Sequence, residues 1–211
     1  MNADAKRHAA AFGWIGIIAG VMFCLTWLAC YSADSSWVWG TNSFSDFGIS
    51  DTDAATYFEW GCIITGILLA VYGIGEALNS KKVGFISCGI ILVFTGLSLV
   101  MVGFYDADYE GGDIHDFFAV LGATLFVFAS LFWTGQCWYD GKILAAGAPV
   151  VLYMISFFSY VSFEWEEWEV ISLVLAAFWL IEAATYTVAR NVQPKNPVDA
   201  VARNKKKEVS Q

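Results

Sequence analysis

The sequence predicts an all-α, polytopic membrane protein: a six-transmembrane-helix bundle with both termini in the cytoplasm. Three observations lead there. The chain is 58% hydrophobic and only 15% charged, whereas soluble domains carry about 25% charge and about 45–50% apolar residues. The apolar residues gather into six near-continuous runs, at about Phe12–Tyr31, Ala55–Leu78, Gly84–Phe104, Phe117–Tyr139, Ile143–Phe163 and Val170–Ala189. With six spans, all eleven basic residues fall on one side of the membrane. Positive residues are retained in the cytoplasm, which sets the expected orientation.

Each run is about 20 residues or longer, enough to cross a ~30 Å hydrocarbon core at about 1.5 Å per residue. A spanning strand would need about 10 residues and would alternate apolar with polar. The first run follows Lys6 and Arg7, as a signal peptide would. Its apolar stretch is longer than the usual 7–15 or so, and no small-x-small cleavage site follows. "WLAC" at 27–30 puts Trp27 where a lipoprotein signal wants Leu, so the run reads as a retained helix.

Between runs 1 and 2 lies "GTNSFSDFGISDTD", Gly40 to Asp53, inside a long connection from Ser32 to Ala54. Long connections in compact domains are commonly functional or disordered. Trp37, Trp39, Phe44 and Phe47 make this one too aromatic for a disordered linker. It is expected to fold back on the membrane with its aromatics at headgroup level. "SDTD" then reads as the start of the second helix, with Asp51 or Asp53 at the cap.

The turns "NSKKV" and "DGK" force runs 2 and 3, and runs 4 and 5, into antiparallel hairpins. Glycines at 13, 16, 20, 66, 73, 75, 89 and 96 suit close helix approach in lipid. The opposite connections are acidic: Asp34 to Glu59, Asp106 to Asp116 and Glu164 to Glu169 hold fourteen of the twenty carboxylates and no basic residue. In "EWEEWE", Trp165 and Trp168 read as part of an interfacial aromatic belt flanked by solvated acids. The 191–211 tail is polar and basic, expected to be disordered and suited to anionic headgroups. The five cysteines all lie in the runs, with no C-x-x-C pair, and read as small apolar packing groups. Membrane lipids are the expected partners; nucleic acid is not.

Three places carry groups capable of chemistry. "NSFSD" supplies Asn42, Ser45 and Asp46, where S-x-x-D is also a turn-capping pattern. "YDADYEGGDIHD" supplies Asp106, Asp108 and His115; the calcium-loop spacing is missing, which excludes an EF-hand. His115 is a candidate acid/base group or metal ligand, or a solvated residue at a helix start. Glu182 lies inside the sixth run, roughly 12 Å along the helix from Arg190. Intramembrane carboxylates are costly and usually face a partner in the bundle. Glu76, nearer Lys81, reads as interfacial.

"NSFSDFG" after the first helix and "GFYDADYEGGDIHDFFA" before the fourth resemble a prokaryotic integral-membrane family known only as domain of unknown function 998. The resemblance covers roughly residues 12–189. It implies that Asn42, Ser45, Asp46, Gly48, Gly103, Phe104, Asp106 or Asp108, and His115 occupy the family's pattern. Phe44, Phe47 and Tyr105 depart from it. The family brings no established activity.

Two functions fit these residues. One is a hydrolase or transferase acting on a lipid headgroup or small ester, with Ser45 or a bound water as nucleophile, His115 as acid/base and Asp46 orienting it. The other is a non-catalytic binding or transport module for cations or a small amine. There Asn42, Asp106 and Asp108 would contact the ligand and Glu182 would serve a proton path. A divalent cation at the outer acidic loops is the expected cofactor, if one is used. In either case Asp46 and His115 are expected to meet.

Overall fold

A computed structural model describes residues 3–192. Its six long helices are α1 (Ala3–Ala33), α2 (Asp53–Asn79), α3 (Val83–Phe104), α4 (Asp113–Tyr139), α5 (Ile143–Ser162) and α6 (Trp165–Val192). Each is long and apolar enough to cross a membrane, and no strand occurs among the described residues. The helices therefore coincide with the six apolar runs. The 193–211 part of the tail lies outside the described residues.

Short turns at Ser80–Lys82 and Asp140–Lys142 make the two hairpins expected from the sequence. The α2–α3 pair is the most extensive contact in the bundle; α1 packs on α2, α4 on α3, and α6 closes the set against α1. By contrast α5 is loosely held, its main neighbours being α4 and α6. All described Lys and Arg lie at one end of the bundle, here the basic end; the loops after α1, α3 and α5 form the acid-rich end.

Glycine explains the tightness of α2 against α3. A Cβ on Gly66 would stand 2.5 Å from the Gly96 carbonyl oxygen, and one on Gly73 would stand 2.6 Å from that of Gly89. Backbone thus meets backbone, which yields packing energy that apolar side chains gain poorly against lipid.

Two apolar clusters fill the interior. The larger joins Tyr72, Leu92, Trp133, Trp179 and Leu180 through the middle of the bundle. The second sits at the acid-rich end and corrects the expectation for the long loop. Trp37, Phe44 and Phe47 are buried against Cys30, Phe58, Val102 and Val170 instead of lying among headgroups. Phe47 stacks on Trp37 at 5.1 Å, and Phe44 packs on Phe58 at 5.2 Å. Only Trp39 of the four aromatics remains exposed. Burying rings inside the helix ends removes far more apolar surface from water than a headgroup position can.

The cap of α2 also differs from expectation. Thr52 takes the position, its hydroxyl accepting from the Ala54 N–H at 3.2 Å, while Asp53 is the first helical residue. All five cysteines are free thiols.

Candidate functional site

The α1–α2 loop is closed by Asp34, immediately after α1. Its Oδ1 accepts from the Ser36 N–H at 2.9 Å and its Oδ2 from the Ser50 hydroxyl at 2.6 Å. The Ser36 and Ser50 hydroxyls, with the Ser36 N–H, hold its carboxyl below the usual carboxylate range. One side chain thus ties the beginning of the loop to its end.

Inside this clasp the "NSFSD" groups mainly satisfy one another. Asp46 Oδ2 accepts from Asn42 Nδ2 at 3.1 Å and from the Ser43 N–H at 2.9 Å. Reaching back three residues to an N–H is the acidic half of a capping box, and a short 3-10 turn, Ser45–Ile49, begins here. Asn42 Oδ1 accepts from the Val38 N–H at 3.0 Å, and the Trp37 indole donates to the Ser43 carbonyl at 2.9 Å. Ser45 Oγ pairs with Ser43 Oγ at 3.0 Å. Asp46 Oδ1 has no hydrogen bond among the described residues.

His115, in the first turn of α4, is buried rather than solvated, with 2% exposure. Its Nδ1 lies 2.7 Å from the carbonyl oxygen of Tyr105. A carbonyl only accepts, so Nδ1 carries the proton, and in the neutral ring Nε2 keeps its lone pair. Among the described residues Nε2 has no hydrogen-bond partner. This contact pins the end of α3 to the start of α4 across a loop with three left-handed residues, Glu110, Gly111 and Gly112. Asp106 and Asp108 are exposed on that loop, where Asp106 Oδ1 accepts the Asp108 N–H at 3.1 Å.

No hydrogen bond joins Ser45 or Asp46 to His115 among the described residues, so the expected Asp46–His115 bond is not formed. The physical reason is local: Asp46 spends Oδ2 on its own loop, and His115 spends Nδ1 on Tyr105. The structure instead brings Glu169, of the "EWEEWE" segment, toward this loop. Glu169 faces the backbone of Phe44 and lies within electrostatic reach of Asp46, Glu166 and Asp116. Carboxylates of three separate segments thus act on one another electrostatically. Yet among the described residues no three His, Cys, Asp or Glu side chains converge tightly enough to hold a metal ion. The "EWEEWE" pattern gives no sign that Glu169, unlike its exposed neighbour Glu164, turns inward; only its place one turn along the helix distinguishes it.

The intramembrane carboxylates exchange their expected roles. Glu76 is no interfacial group: it is buried and ion-paired with Arg190. Thr187 Oγ1 donates to Glu76 Oε2 at 2.9 Å, Tyr72 lies 3.3 Å from Thr187 Oγ1, and the Arg190 guanidinium sits 4.5 Å above the Phe85 ring. Spacing along α2 favoured Lys81, but the helix turns Glu76 inward toward α6. Glu182 is partly exposed and has neither a hydrogen bond nor an ion pair among the described residues. The nearby indole N–H groups of Trp133 and Trp179 are buried without partners.

A family model described as "Protein of unknown function (DUF998)" matches residues 17–190, spanning both loops and α2 to α5 completely. The chain belongs to this family. No match was found among curated proteins or among solved structures. For this DUF998 chain, Asn42, Asp46 and His115 all fall within the matched segment. Each makes a loop-closing hydrogen bond, so the same residues that mark the sequence also shape its acid-rich end.

Proposed function

We propose that this DUF998 chain is a multi-pass protein of the cell membrane whose acid-rich end faces outward and binds an organic cation. The ammonium of a lipid headgroup and a small free amine share this chemistry. The observation that supports the reading is the acidity of this end: Asp46, Asp116 and Glu169 come from three segments and act electrostatically on one another, and no Lys or Arg lies there among the described residues. Carboxylates offered by separate segments can each meet one face of an organic cation. Trp39 adds an exposed ring near by, since Gly40 lies against Glu167. Aromatic faces beside carboxylates recognise alkylated ammonium groups.

The test is binding to purified protein in nanodiscs. Phosphatidylethanolamine or phosphatidylcholine should be retained over phosphatidylglycerol if the ligand is a headgroup; free ethanolamine or choline should bind if it is a soluble amine. Asp46→Asn with Glu169→Gln should abolish either. Equal retention of all lipids and no amine binding would refute the reading. Orientation has its own test: a cysteine at Asp108 should label from outside intact cells, and one at Lys81 should not.

A second reading keeps headgroup hydrolysis, because the Nδ1–Tyr105 bond leaves His115 Nε2 as the ring nitrogen open to a second partner. It requires the Ser45 hydroxyl to leave Ser43 and reach that nitrogen. Turnover of a headgroup ester lost in both Ser45→Ala and His115→Gln would favour it over simple binding. A proton path through Glu182 would show as pH-dependent transport lost in Glu182→Gln.

A further inference from the structure

At the basic end, opposite the cation site, α3 and α4 leave a groove of about 460 Å³ open to the lipid. This lies within the roughly 300–1,000 Å³ range of small-molecule sites. Phe128, Leu131, Phe132 and Tyr139 form an apolar wall along α4. Gly135 leaves this stretch of α4 without a side chain, its Cβ position facing open space. The inner edge is fixed by Gln136, whose Oε1 accepts the Gly84 N–H at 3.1 Å and whose Nε2 donates to Asp140 at 3.2 Å. The groove is thus a built feature of a clamped helix pair.

The mouth of the groove is positive. Lys82 reaches Asp140, next to the lining residue Tyr139, and Lys81 and Lys142 are exposed in the adjoining turns at the same end of α3 and α4. Lys82 contacts Asp140 at 3.0 Å with half its side chain still in solvent. Such a solvent-exposed pair is weak, so a better anion can draw Lys82 away. The first turn of α3 begins at the same place, and its positive dipole end adds to the field.

We propose that this groove seats one acyl chain of an anionic phospholipid whose phosphate meets Lys81, Lys82 and Lys142. An apolar trough ending in a lysine cluster matches the two parts of such a lipid, and basic pockets between spanning helices bind anionic headgroups. A second helix would fill the apolar wall but would leave the lysines without a counter-charge. The inference is independent of the cation site, which lies at the other end of the bundle.

Native mass spectrometry of the full chain, released from nanodiscs of equal phosphatidylglycerol and phosphatidylcholine, reads the result. One phosphatidylglycerol per chain should be retained, and inorganic phosphate should not displace it. Gly135→Trp, or Gly135→Leu should the larger residue not fold, should lower retention at least tenfold with the thermal midpoint unchanged. Lys81→Ala with Lys82→Ala should do the same. Retention lost on removing lysines but untouched by filling position 135 would mean a surface charge effect and overturn the proposal. Equal retention of phosphatidylcholine, or a disulfide-linked dimer from Gly135→Cys, would also overturn it.

Discussion

The buried Glu76–Arg190 pair makes an asymmetric prediction. The two side chains differ in their access to water: Arg190 keeps 22% exposure and Glu76 has 0%. Removing Arg190, as in Arg190→Met, strands a carboxylate with Thr187 as its remaining donor. Stranding a buried charge costs about 3–5 kcal/mol. Removing the charge from the other side, as in Glu76→Gln, leaves a guanidinium near a helix end, over Phe85, that can extend its long stem to the membrane surface. That loss is closer to an ordinary charge-assisted hydrogen bond, about 1.5–3 kcal/mol. Replacing both with apolar groups, Glu76→Leu with Arg190→Met, removes the desolvation cost of each and should restore stability to within about 1 kcal/mol of the parent. Thr187 still has the Ala183 carbonyl at 3.1 Å as an acceptor. Reversible unfolding in mixed detergent, followed by far-ultraviolet circular dichroism, measures all four chains. Equal losses from the two single variants, or a double variant as unstable as their sum, would refute a buried, mutually dependent pair.

Other consequences follow from the packing and the loops. Gly96→Ala should cost about 1–3 kcal/mol in the same assay, because its Cβ would lie 2.4 Å from the Gly66 carbonyl oxygen; Gly147→Ala, with nothing within 4 Å, should cost nothing measurable. Glu110→Gly should raise stability by about 1 kcal/mol by relieving a left-handed residue at φ 49°, whereas Gly112→Ala, at φ 87° and 2.8 Å from the Ala107 carbonyl oxygen, should lower it by about 1–3 kcal/mol. Asp34 has a lowered folded pKa, so its contribution is complete above the ordinary carboxylate value of about 3.9 and is lost as pH falls below that through the lower folded value. Protection from hydrogen exchange across residues 35–50, taken relative to the intrinsic rate at each pH, should therefore fall only below about pH 4 in the parent, and be low already at neutral pH in Asp34→Ala.

What could be read in the sequence follows the range of the interactions involved. Six spans were legible because each is a local run of apolar residues long enough to cross lipid, and the two hairpins because their turns are too short for another path. The S-x-x-D pattern was legible as capping chemistry for the same reason: Asp46 meets Asn42 and Ser43 within four residues. Glu76 was misplaced because its true partner is 114 residues away, and nothing in "GEALNSKK" reveals which way α2 is rotated. The loop aromatics were visible as apolar, but their inward direction depends on the Asp34–Ser50 closure, a contact across sixteen residues. The rarity of histidine marked His115, while its burial depended on the Tyr105 carbonyl at the far side of a glycine-rich bend.

The Glu76–Arg190 contact also bears on how the chain is made. Synthesis delivers α2 early and α6 last, so Glu76 enters the membrane long before its cationic partner exists. An intramembrane carboxylate without a partner is costly by at least a few kcal/mol. Until α6 arrives, the face of α1 that will receive it is bare as well. A chain that stops after α5 therefore carries both an uncompensated charge on α2 and an unfilled seam along α1.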